Sequence, residues 1–328
     1  MQSLRRRLLL MLIVAAVMSG NTWPQSGVET FPARPVTLVI PVAAGGPVDA
    51  EMHLYAPRLR DALGQPFVME YKLGAGGTVA GAYVAKAAPD GYTLLVVNGS
   101  FTTFSSLYKA LTFDTLRDFA PVTMTSRREQ LLLTSSAFPI KTYAEYIAYA
   151  RNNPGKINVG TAGAGSSTHL AGAWLHGATG TRVTFVHYKG TGPLLPDLIA
   201  GRLDATVAAA AAVMPQVRSG KMLALASMGN RRTNLLPELA TVAEQGVAGF
   251  NYAGYTGILA PAATPGVVIS KLNEAFVSAI RASEVASRLA ADGIIAVANT
   301  PAQFRLQMVA ETAVWRKVVQ DNGIKLED

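Results

Sequence analysis

Apolar and polar positions change period several times in the first third of the chain. Val36-Thr-Leu-Val-Ile40 is a short apolar run that predicts a buried strand. From Val48, apolar residues recur at Met52, Tyr55, Leu59 and Leu63, steps of four and three that mark one face of an amphipathic helix. Pro57 inside that stripe predicts a kink. Phe67 to Glu70 reads as a second strand ending at Gly74-Ala-Gly-Gly77, with a helix to about Ala88. Pro89-Asp90-Gly91 is a turn, and Tyr92 to Val97 a third strand ending at Asn98-Gly99-Ser100. This βαβαβ order predicts a parallel or mixed sheet with helices on its faces.

The alternation restarts after Phe119-Ala-Pro-Val-Thr-Met124. Thr142-x-x-Glu145 is a capping box that opens a helix to about Asn152, and Pro154-Gly155 ends it. A strand at Ile157 to Val159 runs into Gly160-Thr-Ala-Gly-Ala-Gly-Ser-Ser-Thr168, followed by a helix around His169 to Gly177. A strand at Val183 to Val186 ends at Tyr188-Lys-Gly190, and a further helix, a strand near Ala205 and a helix near Val213 complete a second α/β unit. Thr264-Pro265 and Thr300-Pro301 read as N-caps with proline in the first helical position. Phe304, Met308, Thr312, Trp315 and Val319 share one face of the last helix, a packing face.

The extreme N-terminus departs from this pattern. Arg5-Arg-Arg7, the apolar stretch Leu8 to Met18 and the small or polar residues from Ser19 have the layout of a secretory signal peptide, cleaved near residue 25. The expected location is therefore the periplasm, as a soluble chain. With no cysteine, neither a disulfide nor a lipid-anchored cysteine is available. The formal charge of +8 falls to +5 once three signal-peptide arginines leave. The remaining charges are scattered, without the basic runs that nucleic-acid binding calls for.

Four Gly/Ser/Thr-rich turns follow strand ends, at residues 43–46, 98–100, 160–168 and 188–192. Ligand sites of open α/β sheets lie beyond such carboxyl ends. In Pro41-Val-Ala-Ala-Gly-Gly-Pro-Val-Asp49, a strand, a Gly-rich turn and a helix start form a cradle of backbone N–H groups suited to an anion. The same residues also fit an ordinary tight βα turn with Asp49 as a first-turn helix acid. If the four turns face one cleft between two α/β units, they line it with polar backbone suited to small carboxylates.

A series of short motifs in fixed order carries a more specific signal. It comprises Phe31-Pro-x-Arg-Pro-Val36, Pro41-x-Ala-Ala-Gly-Gly46 with Asp49, Leu63-Gly-Gln-Pro66, Gly74-Ala-Gly-Gly77 and Ala85-Lys-Ala-Ala-Pro-Asp-Gly-Tyr-Thr-Leu94. Further along come Leu107-Tyr-Lys, Asp118-Phe-Ala-Pro121, Asn153-Pro-Gly-Lys156, His169-Leu-Ala-Gly172, Tyr188-Lys-Gly190 and Leu259-Ala-Pro261. Through these the chain resembles the periplasmic solute-binding proteins of tripartite tricarboxylate transporters, the Bug (Bordetella uptake gene) or TctC family. The resemblance implies a two-lobed periplasmic-binding-protein-like (type II) α/β fold, with two α/β domains joined by crossing strands and closing on a ligand. Residues 30–125 with 250–328 would form one domain and 126–249 the other. It implies a small organic carboxylate ligand (a di- or tricarboxylate, an acidic amino acid or an aromatic acid), held mainly by backbone amides and ordered waters. It also implies delivery to integral-membrane transporter subunits. The chain is expected to be a monomer without cofactor, metal site or covalent chemistry.

The family's ligand loops carry over onto Ala44, Gly45, Gly46 and Asp49; onto Gly165, Ser166, Ser167, Thr168 and His169; and onto Tyr188 and Gly190. Ser100 joins them at the third strand's end. Several carried-over positions keep a second reading: Asp49 as a helix-terminus acid, His169 as a loop-orienting group, and Ser166, Ser167 and Thr168 as caps. The chain departs from the family pattern at Val42, Pro47, Lys72-Leu73, Arg128-Glu129-Gln130 and Ala208. Arg127 and Arg128 could pair a second ligand carboxylate, or simply be solvated. Ala208, where the family often has aspartate, opens the possibility of a lost polar contact; the alanine run around it reads as helix filler. Two other functions are compatible with an exported two-lobed chain: a ligand sensor for a signalling membrane partner, and a periplasmic hydrolase. The hydrolase is disfavoured, because no G-x-S-x-G elbow or zinc-ligand spacing occurs and Gly74-x-Gly76 lacks the third glycine of a dinucleotide fingerprint.

Overall fold

A computed structural model describes residues 31–108 and 110–324. The signal peptide expected over residues 1–25 and Lys109 of the Leu107-Tyr-Lys motif lie outside these residues. Among the described residues no helix is long and apolar enough to cross a membrane.

The predicted strand-turn-helix units are present. In chain order they are β1 (Val36–Ile40), α1 (Pro47–Leu63), β2 (Phe67–Tyr71), α2 (Thr78–Ala85), β3 (Thr93–Asn98), the short α3 (Phe104–Leu107) and β4 (Phe119–Ser135). Then follow α4 (Tyr143–Asn152), β5 (Asn158–Thr161), α5 (Ser167–Ala178), β6 (Thr184–His187), α6 (Thr191–Ile199), β7 (Ala205–Ala209), α7 (Ala210–Arg218) and β8 (Met222–Ser227). The chain closes with β9 (Ala253–Pro261), α8 (Gly266–Arg281), α9 (Ser283–Ala291), β10 (Ile294–Ala296) and α10 (Pro301–Asp321). The strands form a mixed sheet in the order β2-β1-β3-β9-β4-β7-β5-β6, with β8 and β10 also paired to β4. The fold is two-lobed: β1, β2 and β3 are mutually parallel on one side, β5, β6 and β7 on the other.

Both lobes hang on β4, whose 17 residues pair with β9 up to Glu129 and with β7 from Gln130. Each lobe is layered. In the first, Met52, Tyr55 and Leu59 of α1 pack with Leu272 and Phe276 of α8 over one sheet face. Val84 of α2 and Phe304 and Met308 of α10 cover the other. In the second, Tyr146 of α4 and Leu170 of α5 cover one face, and Leu194 and Leu198 of α6 with Val213 of α7 the other. Helix α10 serves both lobes: its N-terminal half packs in the first, while Trp315, Val318 and Val319 join the α4/α5 cluster.

The capping boxes at Thr142/Glu145 and Thr300/Gln303 form as expected, with Pro301 in the first turn of α10. Two expectations change, at Thr264 and in the alanine run. Thr264 is not a cap: α8 begins at Gly266 after an extended Pro265, and the buried Thr264 hydroxyl has no hydrogen-bond partner. Helix α1 runs through Pro57 as one element. The alanine run is not all helix: Ala208 and Ala209 end β7, and α7 starts only at Ala210. Alanine tolerates both states, so composition alone could not place that boundary.

Gly257 lets α10 lie close to β9, because a Cβ there would overlap the Phe304 ring. Phe304 is fully buried and meets Tyr255 edge-on with ring centroids 5.9 Å apart. Gly257→Ala is expected to destabilise the fold by about 1–3 kcal/mol through overpacking. A lowered urea midpoint at unchanged slope is the readout.

Candidate inter-lobe binding site

The register of β4 determines where the carboxyl ends of both sets of parallel strands meet. Asn98 at the end of β3 pairs with Thr256, which pairs with Ser126; Ala209 at the end of β7 pairs with Gln130. The two strand ends therefore face each other across Arg127, Arg128 and Glu129. A cleft of about 1010 Å³ opens there. Its walls include Gly45, Gly46 and Pro47 at the start of α1, and Ala209, Ala211 and Ala212 at the start of α7; Arg128, Glu129 and Ile294 are also exposed to it.

Both helix starts are open. Helix α1 begins at Gly46 and α7 at Ala209, each without a side-chain cap. The first N–H groups of an uncapped helix lack intrahelical partners and carry the positive end of the dipole, which favours an anion. The preceding loop is held by Asp49. Its Oδ2 accepts from the Gly45 N–H at 2.7 Å and its Oδ1 from the Tyr71 hydroxyl at 2.6 Å, with His53 Nε2 at 3.4 Å. Burial raises the Asp49 carboxyl, but the Tyr71 and Gly45 hydrogen bonds and the His53 charge hold it below its ordinary value. Both oxygens of this ionised carboxylate are committed to shaping the loop. Gly45 takes φ of +81°, a left-handed conformation that favours glycine.

The second group of expected loops is also bonded internally. Ser166 caps α5, its Oγ accepting from the His169 N–H at 3.3 Å, and Thr168 Oγ1 accepts from the Ala162 N–H at 2.9 Å. His169 Nδ1 accepts from the Gly165 N–H at 3.0 Å, so this side chain orients the loop. The Tyr188 hydroxyl donates to Asp197 at 2.6 Å, and Gly190 N–H donates to Ala162 O at 3.1 Å. Ser100 Oγ donates to Asn98 Oδ1 at 2.5 Å. Of the expected residues, Gly45 and Gly46 line the cleft. Ala44, Asp49, Ser100, Gly165, Ser166, Ser167, Thr168, His169, Tyr188 and Gly190 stand outside its walls.

Glu51, not singled out in the sequence, is the most heavily bonded side chain here. It is 2 % exposed and accepts from Tyr55, Thr125, Ser126 and Thr256 at 2.6–3.1 Å, and from Arg128 Nη2. Arg128 also donates from Nη1 to Thr256 Oγ1 at 2.7 Å, while its buried Nε has no partner. Arg128 is thus not simply a solvated side chain: it ties the crossing strand to α1 while part of it faces the cleft. Its spacing from Glu51, 77 residues, hid the pair; the i,i+4 Glu51–Tyr55 relation on the buried face of α1 was the available signal. Ala208 is likewise corrected. Its side chain is packed beside Leu131 and Leu133, and Ala209 is the residue that meets the cleft.

Burial, with the His187 charge, pushes His169 down to about 4, and burial alone pushes His176 down to about 4. Both are neutral in the fold. The unfolded chain titrates them near 6.5, so between about 6.5 and 4 it binds more protons than the folded one. This contribution is present above 6.5 and is lost as pH falls through 4; it is on the order of 3 kcal/mol for His176 and smaller for His169, which solvent screens in part. The urea midpoint should therefore fall steadily from pH 7 to pH 4.5, and a flat midpoint over that range would contradict it.

Comparison with known proteins agrees with this architecture. Residues 53–324 match the family described as tripartite tricarboxylate transporter family receptor. Protein BugT of Bordetella pertussis is 32% identical over 323 residues, covering 98% of this chain and 99% of that one. Among solved structures, Rpa4515 of R. palustris with adipate superposes with a TM-score of 0.78 at 32% identity, over 90% of this chain and 100% of that one. MatC from Rhodopseudomonas palustris with bound malate gives 0.76 at 34% identity, over 88% and 100%. The chain belongs to the tripartite tricarboxylate transporter receptor family.

Proposed function

We propose that this protein captures a small organic carboxylate in the cleft between its lobes. The observation that carries the reading is the pair of uncapped helix starts, Gly46 on one lobe and Ala209 on the other, lining one cavity. Each suits an anion, so an acid with a carboxylate at each end satisfies both walls. The adipate and malate found in the two relatives above are acids of this kind.

In this reading residues 30–125 with 250–328 and residues 126–249 move as two lobes, with the end of α10 following the second. Ligand favours the closed arrangement by touching both lobes, so its differential affinity supplies the shift. Closure carries the loops at Gly165–His169 and Tyr188–Gly190 towards the bound acid. Asp49, Gly45, Ser100, Ser166, Thr168 and His169 hold their loops in shape through their own hydrogen bonds, while Ala44, Gly46 and Ser167 offer backbone N–H groups. The protein works as an exported monomer in the periplasm and hands its ligand to integral-membrane transporter subunits, without chemistry on it.

A thermal-shift panel of stripped protein against di- and tricarboxylates, acidic amino acids and aromatic acids tests this. Ligand at a hundredfold excess over Kd adds about 2.7 kcal/mol of apparent stability. A concentration-dependent rise with one acid class supports the reading. No rise with any acid rejects it.

A further inference from the structure

A second cavity, of about 370 Å³, shares no lining residue with the cleft. It lies between α5, α10 and the start of β9. Its walls are aromatic: Trp174, Tyr252, Tyr255 and Trp315. Trp315 meets Trp174 and Tyr252 edge-on, each with centroids 5.7 Å apart. Two charged groups also reach it, Glu311 one helical turn before Trp315, and Arg127 on the crossing strand.

The polar groups of this cavity are only partly used. Glu311 accepts from Gln307 at 2.7 Å and from Thr102 at 3.4 Å. The Tyr255 side chain is 2 % exposed, and its hydroxyl stands beside Glu311 and Thr102 without completing a hydrogen bond of ordinary geometry. Burial raises the Glu311 carboxyl above its ordinary value, against the opposing influence of Gln307, Arg127, Thr102 and Tyr255. No ion pair within 4 Å among the described residues joins Arg127 to Glu311. A ligand that fills this space desolvates an acid, a base and a hydroxyl together. A simple acid leaves Glu311 unmatched, and a simple amine leaves Arg127 unmatched; buried charges without partners are strongly unfavourable. A zwitterion matches both, and aromatic walls suit an apolar body and the ammonium beside it. The volume is at the lower end for ligand pockets, about the room a single amino acid needs.

We propose that this cavity is a second ligand site that takes a free α-amino acid with an apolar or aromatic side chain. The ammonium group meets Glu311 and the Tyr255 hydroxyl, the carboxylate meets Arg127, and the side chain lies among Trp174, Tyr252 and Trp315.

The chain has three tryptophans, two of them in this cavity. The third, Trp23, precedes the cleavage expected near residue 25, so in the exported protein emission reports on Trp174 and Trp315. Titration with L-phenylalanine should give a saturable change in emission. The affinity should drop at least tenfold in Glu311→Gln, which removes the charge and keeps the shape. The same drop is expected in Ala310→Phe, an exposed position whose larger side chain blocks the cavity. L-Phenylalaninamide and N-acetyl-L-phenylalanine, each lacking one charge, should bind at least tenfold more weakly. Gly45→Val should leave the titration unchanged, and neither α10 variant should alter the thermal shift given by carboxylates. The proposal is overturned by the absence of a saturable change, by equal binding of the singly charged analogues, or by loss of the signal in Gly45→Val, which would place the amino acid in the main cleft.

Discussion

Arg128→Ala is expected to lower the stability of the folded chain by about 3–5 kcal/mol, the range for removing one partner of a buried ion pair. The reason is the state in which it leaves Glu51. That carboxylate is 2 % exposed and sits among hydroxyls of Tyr55, Thr125, Ser126 and Thr256, with the Arg128 guanidinium as its only cationic partner within 4 Å among the described residues. Hydroxyls can hydrogen-bond a carboxylate but do not neutralise it. Without Arg128 the charge stays in a poorly solvated place or takes up a proton, and either route weakens the fold. The pair also fastens α1, which begins in the cleft wall, to the strand on which both lobes hang. Replacing both residues by methionine removes acid and base together and should restore most of the loss, as buried pairs often exchange for apolar groups without penalty. Urea unfolding of both variants decides it: a single change worth less than about 1 kcal/mol would mean that the pair is effectively solvent-screened.

Gly45→Val is expected to weaken carboxylate binding by roughly five- to a hundredfold while the protein remains folded. Gly45 sits at φ of +81°, where a β-branched residue is strained by about 1–3 kcal/mol. No atom lies within 4 Å of where its Cβ would project, so the effect is conformational and not a clash. Relief of that strain turns the Gly45 N–H away from Asp49 and changes the path of the chain into Gly46 and Pro47, the start of α1. The backbone groups offered to the cleft then point elsewhere. Because 1.4 kcal/mol corresponds to a factor of ten in affinity, strain of this size gives roughly a five- to hundredfold loss. Calorimetric titration with the best acid of the thermal-shift panel, on wild type and variant, provides the comparison. Equal affinities would remove the loop from the site.

Much of the fold was legible because each element carries a single clean period. The α1 stripe Val48, Met52, Tyr55, Leu59 and the capping boxes at Thr142 and Thr300 are local signals, and they appear as read. The crossing of β4 was not legible past Met124. Arg127-Arg128-Glu129-Gln130 interrupts the apolar pattern, although the strand continues to Ser135. Those polar residues stand where the sheet passes from one lobe to the other and no helix covers it fully, so the usual apolar signature is absent.

The site was partly legible for a related reason. Sequence shows which groups are available at a strand end but not what already uses them. Ser166, Thr168, His169 and Tyr188 have the residue types of a ligand loop, yet their polar atoms are bonded within the second lobe. Glu51 showed the reverse: it reads as an ordinary helix residue and is the centre of a network whose members lie 74 to 205 residues away, apart from Tyr55. The Ala208 departure, visible against the family pattern, falls one residue short of the cleft, because side chains alternate along β7.

The most direct test of the central claim is a crystal structure of the stripped protein with the best acid of the thermal-shift panel. The account predicts one carboxylate within hydrogen-bond reach of the backbone at Gly46 and the start of α1, the other near Ala209 and the start of α7, and the two lobes closed around it. An acid bound away from both helix starts would contradict the account.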